Sequence, residues 1–493
     1  MSKIVDFRGK PFHFIGIGGI GMSALAYVLA KRNLPVSGSD LRATQITRRL
    51  QSVGAHIFNA QEGTNLEFFQ RHSTEAEAKA KALGSDVDGK LEGRATATLD
   101  RRDPSPQVVC STAIAKTNSE YVAALEKGYP IFHRSDVLAG LIEECPTSIA
   151  VAGTHGKTTT SSAIAYLLVK AGLDPTAIVG GEVQGLGGNA RLGEGEILVA
   201  EADESDGSLI KFSPSLGIIT NIELDHPDHY DSLERVVKTF KTFASQCQTW
   251  IGCIDCEVVR DRFNPPITYS LDPGKNADYT ATEIVCDSSG TRAKIWEKGR
   301  EIGTLSLKLL GRHNLSNALA AVAVGRHLGL EMEAIAHGLG SFEGAKRRFE
   351  EKGKGGGICF IDDYAHHPSE IQVTLAAARL RVKERERVVA IFQPHRYSRT
   401  QTFLNEFARS FSDADMVVIC DIYSAGEANP LNLSGQTVAD AIAAHHNCVF
   451  YQPTLEELER FLGERLQPGD LALFLGAGNL NQVIPKLVSQ YNP

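Results

Sequence analysis

The sequence has no run of apolar residues that approaches the roughly 20 needed to span a bilayer. It also has no excess of positive charge. The formal net charge is −8, which argues against a general role in binding nucleic acid or a membrane surface, although a local basic pocket could still hold phosphates. The first apolar stretch is broken by glycines and lacks a small-residue cleavage site, so we do not expect a signal peptide.

The cysteines show no disulfide framework. There are nine, an odd number scattered along the chain, and only Cys253 and Cys256 form a C-x-x-C pair. Because no second pair and no histidines lie near it in the sequence, we interpret it as a reduced pair rather than a metal site. A reducing cytoplasm is the expected compartment.

The length and the hydrophobic pattern indicate several α/β domains. A chain of 493 residues is too long for one core. Short β-rich apolar runs alternate with helical patterns almost throughout, which is typical of mainly parallel sheets covered by helices. Three of these runs open onto glycine-bearing turns, so we predict three Rossmann-like units. Their predicted bounds are 1–146, 147–346 and 347–493.

Residues 72–106 do not fit this alternation. They are polar and charged, and they contain few large apolar side chains. We predict that they form an exposed, partly disordered insertion within the first domain.

The first glycine-rich turn fits the G-x-G-x-x-G pattern of nucleotide diphosphate sites. GIGGIG, residues 16–21, lies between a predicted strand and a predicted helix, and Asp40 follows Gly21 by 19 residues. Backbone N–H groups at the helix start would face a diphosphate, and the carboxylate would face a ribose. NAD, FAD and a UDP-sugar all meet this description, and a purely structural turn is the alternative.

The second turn, GTHGKTTT, resembles a phosphate-binding loop but has an unusual spacing. The pattern G-x-x-x-x-G-K-[ST] requires a glycine at position 151, where this chain has Val151, and the nearest upstream glycine is Gly153. Lys157 could still neutralise β- and γ-phosphates, and the hydroxyl of Thr158 or Thr159 could bind Mg²⁺. We therefore predict a phosphate site, with a plain glycine turn as the alternative.

Acidic and histidine side chains end later strands of the same domain. Glu201 ends one apolar run, and Asp225 and His226 follow the next. Carboxylate and imidazole groups at strand ends are a plausible Mg²⁺ shell beside a triphosphate. Histidine is an unusual Mg²⁺ ligand, so His226 could instead be a hydrogen-bonding residue.

Amides and guanidinium groups come next along the chain. Asn314 and Asn317 are three residues apart, on one face of a predicted helix, where they could bind a purine edge or cap the helix. Arg347 and Arg348 lie at the presumed domain junction, where a guanidinium could reach a transferred phosphoryl group or lie on a solvated basic turn. In the third unit, DDYAHHP and FQPHRYSRT predict a polar binding face.

Together these stretches resemble one family, the ATP-dependent Mur ligases. The matching blocks occur in the expected order over nearly the whole chain apart from 72–106: HFIGIGGIGMSALA, GTHGKTTT, AEADESD, NIELDHPDHY, GRHNLSNALAA, DDYAHHP, FQPHRYSRT and GAGN. In that family the phosphate loop has the form G-T-[HN]-G-K-T, which accounts for the missing glycine. The resemblance implies a UDP-sugar domain, an ATP domain and a C-terminal Rossmann-like domain that closes over the site.

The resemblance also implies a reaction and its partners. It implies a ligase that uses ATP and Mg²⁺ to join L-alanine to the lactyl carboxylate of UDP-N-acetylmuramate through an acyl phosphate. This is the first peptide step of cytoplasmic peptidoglycan precursor synthesis. We expect no nucleic-acid partner and no membrane insertion, and either a monomer or a homodimer.

The resemblance assigns roles to residues of this chain by motif. Those with implied catalytic roles are Lys157, Glu201, His226, Arg348 and Asp363. Those implied to bind ATP are Gly153, Thr154, His155, Gly156, Lys157, Thr158, Thr159, Asn314, Asn317 and Arg348. Those implied to bind the UDP-sugar are Gly16, Gly18, Gly19, Ile20, Gly21, Asp40 and Ser111. The implied metal ligands are Thr158, Glu201 and His226, and the residues implied to line the C-terminal cleft are His366, His395 and Arg396.

Three other functions are alternatives to this one. A recycling ligase of the same family would join a tripeptide to UDP-N-acetylmuramate, and only its amino-acid pocket would differ. An NAD-dependent oxidoreductase would use residues 16–21 and Asp40, but it would leave the GTHGKTTT loop without a purpose. A non-catalytic, ATP-switched binding protein is disfavoured because Lys157 and Glu201 are both present.

Overall fold

The computed structural model describes residues 4–72, 104–429 and 432–492, so most of the insertion predicted at 72–106 lies outside the described residues. It shows mixed α/β architecture with parallel strands, as the sequence predicts. Its contacts divide the chain into two compact units. The first consists of Met1–Val151, Gly172–Gly217 and Thr242–Thr249, and the second of Ala152–Ala171, Ile218–Lys241 and Trp250–Pro493.

The amino-terminal sheet is five-stranded, parallel and ordered β3-β2-β1-β4-β5. Its central strand, FHFI, is fully buried, and three of its four residues are apolar. The strands are β1 Phe12–Ile15, β2 Val36–Ser39, β3 His56–Phe58, β4 Gln107–Cys110 and β5 Ile131–His133. The helices are α1 Ile20–Lys31, α2 Gln45–Ser52, α3 Ser119–Glu126 and α4 Arg134–Glu144.

The middle sheet has ten strands in the order β15-β14-β13-β12-β11-β10-β6-β9-β7-β8. Strands β6, β9 and β7 are parallel neighbours, with Val151 opposite Glu201 at the carboxyl ends of β6 and β9. The strands are β6 Thr147–Ala152, β7 Thr176–Val183, β8 Gly188–Arg191, β9 Ile197–Glu201, β10 Leu216–Ile219, β11 Thr249–Cys253, β12 Ile267–Ser270, β13 Tyr279–Asp287, β14 Gly290–Glu297 and β15 Arg300–Leu307. The helices are α5 Lys157–Lys170, α6 Leu233–Gln246, α7 Glu257–Arg262, α8 Arg312–His327 and α9 Met332–Gly340.

The carboxyl-terminal sheet is six-stranded and parallel except for its first strand, in the order β16-β17-β21-β18-β19-β20. Apolar clusters pack on both of its faces, as in a doubly wound fold. The strands are β16 Glu350–Gly355, β17 Ile358–Asp363, β18 Val388–Phe392, β19 Met416–Ile419, β20 Val449–Tyr451 and β21 Leu471–Leu475. The helices are α10 Pro368–Arg379, α11 Tyr397–Thr402, α12 Leu404–Phe407, α13 Gly435–Ala443, α14 Leu455–Arg465 and α15 Ile484–Gln490.

The antiparallel meander β13-β14-β15 is a feature that the sequence analysis missed. Tyr279 pairs with Glu297, and Thr291 pairs with Leu307, across two tight connections. Part of the meander alternates buried and exposed residues, so its strands are less apolar than the parallel strands of the core. The turn signal DSSG between β13 and β14 could have revealed the first hairpin.

A membrane-spanning helix has to be both long and apolar. Across the parts of the chain that the structure describes, no helix is both long enough and apolar enough to cross a bilayer. The sequence likewise lacks an apolar run of that length.

Candidate active site

The GTHGKTTT segment forms a tight turn between β6 and α5, in the second unit. Gly153 and Gly156 have φ angles of +142° and +79°, which side chains rarely adopt. A Cβ atom at Gly153 would overlap the Thr220 hydroxyl, and one at Gly156 would lie 2.5 Å from Oδ1 of Asn317. The loop therefore needs glycine at both positions, for space as well as for backbone conformation.

The loop is held in shape by the segment that follows β10. Asn221 Oδ1 accepts the N–H of His155 at 2.8 Å, and the Thr220 hydroxyl donates to the His155 carbonyl at 2.6 Å. The N–H of Glu223 donates to the Thr154 hydroxyl at 2.9 Å. These hydrogen bonds define the conformation of the loop, as a binding site for a defined anion requires.

The first turn of α5 and Lys157 provide the positive side of this loop. The helix has 14 residues and its N-cap is Gly156, so the positive end of its dipole lies at the loop, where it favours an anion. Lys157 Nζ lies over the loop and donates to the carbonyl oxygens of Gly153 at 2.6 Å and Thr154 at 2.9 Å. Thr158 and Thr159 are buried in the same turn.

A cavity of about 990 Å³ opens beside this loop, entirely within the second unit. Its wall includes His155, Gly156 and Thr159 from the loop region. On α8 it includes Asn314 and Asn317, as the sequence predicts for one helix face. The volume is of the size that nucleotide and cofactor sites have. The cavity therefore joins a phosphate-type loop to an amide-bearing helix.

The two asparagines do not cap α8, because its N-cap is Gly311 and carries no side-chain hydrogen bond. Asn314 Nδ2 donates to the Leu310 carbonyl at 2.8 Å, and Asn317 Oδ1 accepts the Thr160 hydroxyl at 3.2 Å. Asn317 is thereby tied to the helix that carries the phosphate loop.

Arg348 and Asp363 also line the cavity, from the carboxyl-terminal part of the chain. Asp363 accepts the N–H groups of Phe349 and Ala365, both at 2.7 Å, and so fixes the turn that carries Arg348. Burial raises the pKa of Asp363 to about 6, against the lowering influence of Arg348 and these hydrogen bonds. Arg348 lies over the Tyr364 ring, with Cζ 5.4 Å from its centroid.

His226 lies in a cluster with a buried ion pair that the sequence analysis only half identified. Arg399 donates to Asp225 Oδ1 through Nε at 2.9 Å and Nη2 at 2.8 Å, and both side chains are almost fully buried. Burial alone would raise the pKa of Asp225, but Arg399 lowers it far below its usual range. His226 has the strained φ of +55°, and its Nδ1 lies 3.5 Å from Arg399 Nη2.

The predicted cleft residues of the third domain lie around the same arginine. His395 Nδ1 is 3.4 Å from Arg399 Nη1, and its ring centroid is 5.9 Å from that of His366. Burial lowers the pKa of His366 to about 3 and that of His395 to about 4, so both rings are neutral near pH 7. Arg396 pairs with Glu427 at 3.0 Å and Asp228 at 3.3 Å.

A charged group that the sequence analysis did not predict surrounds His155. Its Nδ1 lies 3.2 Å from Glu370 Oε1, and its Nε2 lies 3.4 Å from Glu223 Oε2. Burial alone would lower the pKa of His155, but the hydrogen bonds to Glu223 and Glu370 raise it to about 10. Although burial would raise the pKa of Glu223, His155 lowers it to about 2.

Glu201 lies in the first unit, at the last position of β9. Its Oε2 accepts the N–H of Gly180 at 2.7 Å, and a side chain at Gly180 would overlap the carboxylate. Glu201 is opposite Val151 in the parallel register, and Val151 lies two positions before Gly153, the first residue of the phosphate loop. The carboxylate is therefore at the carboxyl edge of the sheet, where ligands of such sheets bind.

The first glycine turn is also in the first unit and has the predicted strand–turn–helix context. Asp40 Oδ2 accepts the N–H of Gly18 at 2.9 Å, so the carboxylate is bonded to the turn itself. Gly16 has a φ of +75°, and α1 begins at Ile20 with Gly19 as its N-cap. Ser111 follows β4, the strand beside β1.

Comparison with known families agrees with this arrangement. Three family descriptions match successive parts of the chain: "Mur ligase family, catalytic domain" at residues 11–144, "Mur ligase middle domain" at 151–325, and "Mur ligase, glutamate ligase domain" at 347–478. A UDP-N-acetylmuramate–L-alanine ligase of Gloeothece citriformis is 63% identical over 492 residues, which is 99% of each chain. The chain belongs to the Mur ligase family.

Other relatives support the same branch of that family. The UDP-N-acetylmuramate–L-alanine ligase of Nostoc punctiforme is 62% identical, with 100% of this chain and 98% of that protein covered. The crystal structure of a UDP-N-acetylmuramate–alanine ligase from Thermotoga maritima superposes with a TM-score of 0.77 at 28% identity, covering 98% and 99%. A murein peptide ligase from Psychrobacter arcticus has a TM-score of 0.69 at 22% identity, covering 98% and 99%, and shares the fold. The predicted family and three-domain α/β fold class are confirmed.

Proposed function

We propose that this chain joins L-alanine to the lactyl carboxylate of UDP-N-acetylmuramate, with hydrolysis of ATP to ADP and phosphate. The observation that carries this proposal is the 63% identity, over 99% of both chains, to a protein named for that reaction. The tripeptide-recycling alternative has less support, because the murein peptide ligase is only 22% identical.

The second unit provides a site that fits ATP. The glycine cradle has no room for a Cβ, the first turn of α5 suits phosphate oxygens, and Lys157 adds a positive charge. We assign the phosphates to residues 153–159 and the adenine to the amides of Asn314 and Asn317. Arg348, in the same cavity wall, would stabilise the phosphoryl group in transfer.

We assign Mg²⁺ to Thr158, Glu201 and His226. The hydroxyl and the carboxylate are oxygen ligands of the kind that Mg²⁺ prefers. The position of Glu201, opposite Val151 at the strand end, supports its part in this assignment. When bound, the ion would neutralise charge on the phosphate oxygens.

The proposed reaction brings together two anions, the lactyl carboxylate of the sugar and the γ-phosphate of ATP. A carboxylate oxygen of the sugar attacks the γ-phosphorus, and the bond from that phosphorus to the β-phosphate oxygen breaks, giving an acyl phosphate and ADP. The alanine amine then attacks the acyl carbon, the carbon–oxygen bond to phosphate breaks, and the amine loses a proton. Lys157 and Arg348 would stabilise the charge during phosphoryl transfer. Asp363 would hold the Arg348 turn, and His366, His395 and Arg396 would line the amino-acid side.

We place the UDP part of the substrate at the first glycine turn, with Asp40 and Ser111 beside it, and infer domain bounds of 1–146, 147–346 and 347–493. The work of such an enzyme in peptidoglycan precursor synthesis would place it in the cytoplasm, as a monomer or homodimer.

Phosphate release tests the proposed function. The protein is incubated with ATP, Mg²⁺ and UDP-N-acetylmuramate, together with L-alanine, with the tripeptide, or with neither. Release that requires both the sugar nucleotide and L-alanine supports the proposal. Release in the mixture with the tripeptide, but not in the mixture with L-alanine, would indicate a recycling ligase. No release in any mixture would contradict the catalytic assignment.

A further inference from the structure

His155 occupies a position in the phosphate loop that its backbone fixes. Its N–H donates to Asn221 Oδ1 at 2.8 Å, and its carbonyl accepts from the Thr220 hydroxyl at 2.6 Å and from Asn221 Nδ2 at 3.1 Å. The backbone of His155 is therefore fixed within the loop, and a contact that holds the ring helps to position the loop.

Carboxylates face both nitrogens of this ring. Glu370 Oε1 lies 3.2 Å from Nδ1, and Glu223 Oε2 lies 3.4 Å from Nε2. The contact at Nδ1 is a hydrogen bond, whereas the contact at Nε2 has the distance of an ion pair without hydrogen-bond geometry. A doubly protonated imidazole places its positive charge between the two carboxylates. The raised pKa of His155 agrees with this geometry, so the ring is a cation near neutral pH.

The two carboxylates connect this cation to the first turn of α10. Glu370 Oε2 accepts the N–H groups of His366 at 3.0 Å and His367 at 3.3 Å. Glu223 Oε2 accepts the hydroxyl of Ser369 at 2.7 Å. A single imidazolium thus joins a loop of the central domain to the beginning of a helix in the carboxyl-terminal domain.

Glu370 also lies near a residue of the proposed machinery. Arg348 Nη1 is 3.9 Å from Glu370 Oε1, the oxygen that faces His155. With His155 charged, Glu370 is already compensated and holds Arg348 only loosely. Without that charge, Glu370 would attract Arg348 more strongly and draw it away from a transferring phosphoryl group.

A bound transition metal is the competing explanation for the same side chains. His155, Glu223 and His367 each offer one ligand atom, all within 4.8 Å of one another. A metal ion would have to displace the proton that Glu223 and Glu370 hold on His155. His367 Nδ1 already accepts the N–H of Ser369 at 3.4 Å, so only its Nε2, which has no hydrogen-bond partner among the described residues, could bind an ion. The two carboxylates beside the His155 ring favour the proton, and the metal is an outcome of the test below.

We propose that His155 is a positioning residue. Held as a cation between Glu223 and Glu370, it aligns the phosphate loop with the first turn of α10 and sets the position of Arg348. This inference rests on the proposed function for the role of Arg348, but the link between loop and helix is independent of any reaction.

The test compares His155→Asn, which cannot be charged, with the control His327→Asn at an exposed position near the end of α8. We expect His155→Asn to lower kcat by about 10- to 100-fold, the scale of a misplaced catalytic group, with a much smaller change in ATP affinity. Hydrogen exchange of the α10 first-turn amides should be faster without any substrate. Adding Glu370→Gln should recover part of the lost kcat, because it removes the uncompensated charge.

The results that would overturn the inference are distinct. Wild-type kcat in His155→Asn, or unchanged exchange at α10, would show that the cation does not link the two elements. Stoichiometric zinc or nickel in the purified protein, lost in His367→Asn, would establish a metal site instead. Exchange is measured without turnover, so failure of the proposed reaction would leave this part of the test intact.

Discussion

The phosphate loop can be tested by adding one methyl group at Gly156 and comparing it with the same change at Gly172. Both glycines have a φ of +79°, so either alanine variant incurs a left-handed backbone strain of about 1–2 kcal/mol. Their surroundings differ. A Cβ atom at Gly156 would lie 2.5 Å from Asn317 Oδ1, whereas nothing lies within 4 Å of a Cβ at Gly172.

The expected loss of ATP affinity follows from this contact. In Gly156→Ala the Asn317 amide has to move, and its 3.2 Å hydrogen bond from Thr160 is lost, at about 1 kcal/mol. Together with a distorted loop, this should weaken ATP binding by about 2 kcal/mol, or roughly 30-fold. Gly172→Ala should have the same backbone strain, which lowers the free energy of unfolding, but it should leave the ATP dissociation constant unchanged.

Calorimetric titration with ATP and thermal unfolding of both variants provide the measurements. Wild-type affinity in Gly156→Ala would refute the assignment of this loop to phosphate binding. An equal loss of affinity in Gly172→Ala would show that backbone strain in general, rather than the contact with Asn317, controls binding.

Three further changes have defined outcomes. Lys157→Ala should abolish phosphate release but preserve the far-ultraviolet circular dichroism spectrum, because alanine is a strong helix former at the first position of α5. Arg399→Gln should lower the free energy of unfolding in urea by about 3–5 kcal/mol, since it removes the guanidinium partner of the buried Asp225 carboxylate, and adding Asp225→Asn should recover part of this loss. The pKa of His155 is raised from 6.5 to about 10, so its contribution to the free energy of unfolding should be complete below pH 6.5. It should then fall by about 1.4 kcal/mol per pH unit up to pH 10, because the unfolded chain loses the proton first, and His155→Asn should flatten this part of the profile.

A specific result would contradict each of these three predictions. Normal turnover by Lys157→Ala would remove the lysine from the mechanism. A loss below about 1 kcal/mol in Arg399→Gln would show that Asp225 is solvated rather than buried. An unchanged pH profile in His155→Asn would mean that the ring is not held as a cation.

Sequence patterns predicted the parts of this molecule that are determined by residues close together in the sequence. The parallel core strands are continuous apolar runs, and the glycine loops lie at strand-to-helix turns, so both could be identified from neighbouring residues alone. Asn314 and Asn317 came together because a helix places residues three apart on one face.

The missed groups depend on contacts between distant residues. His155 meets Glu370 across 215 positions, and Asp225 meets Arg399 across 174. No spacing rule links such pairs, since their proximity results from the packing of different domains. The DDYAHHP and FQPHRYSRT motifs indicated a polar face, but not which of their members would pair with the central domain.

The hydrogen bonds of Lys157 bear on how tightly the loop can hold a nucleotide. Its ammonium donates to the carbonyl oxygens of Gly153 and Thr154, so a phosphate oxygen bound by Lys157 would exchange with these partners instead of replacing bulk water. The free energy of binding would then include only the difference between the two sets of bonds. The same exchange would run in reverse on release of ADP, because the carbonyl oxygens would accept the ammonium again. In this proposed role, the lysine limits the affinity of the loop for the product and favours turnover over retention.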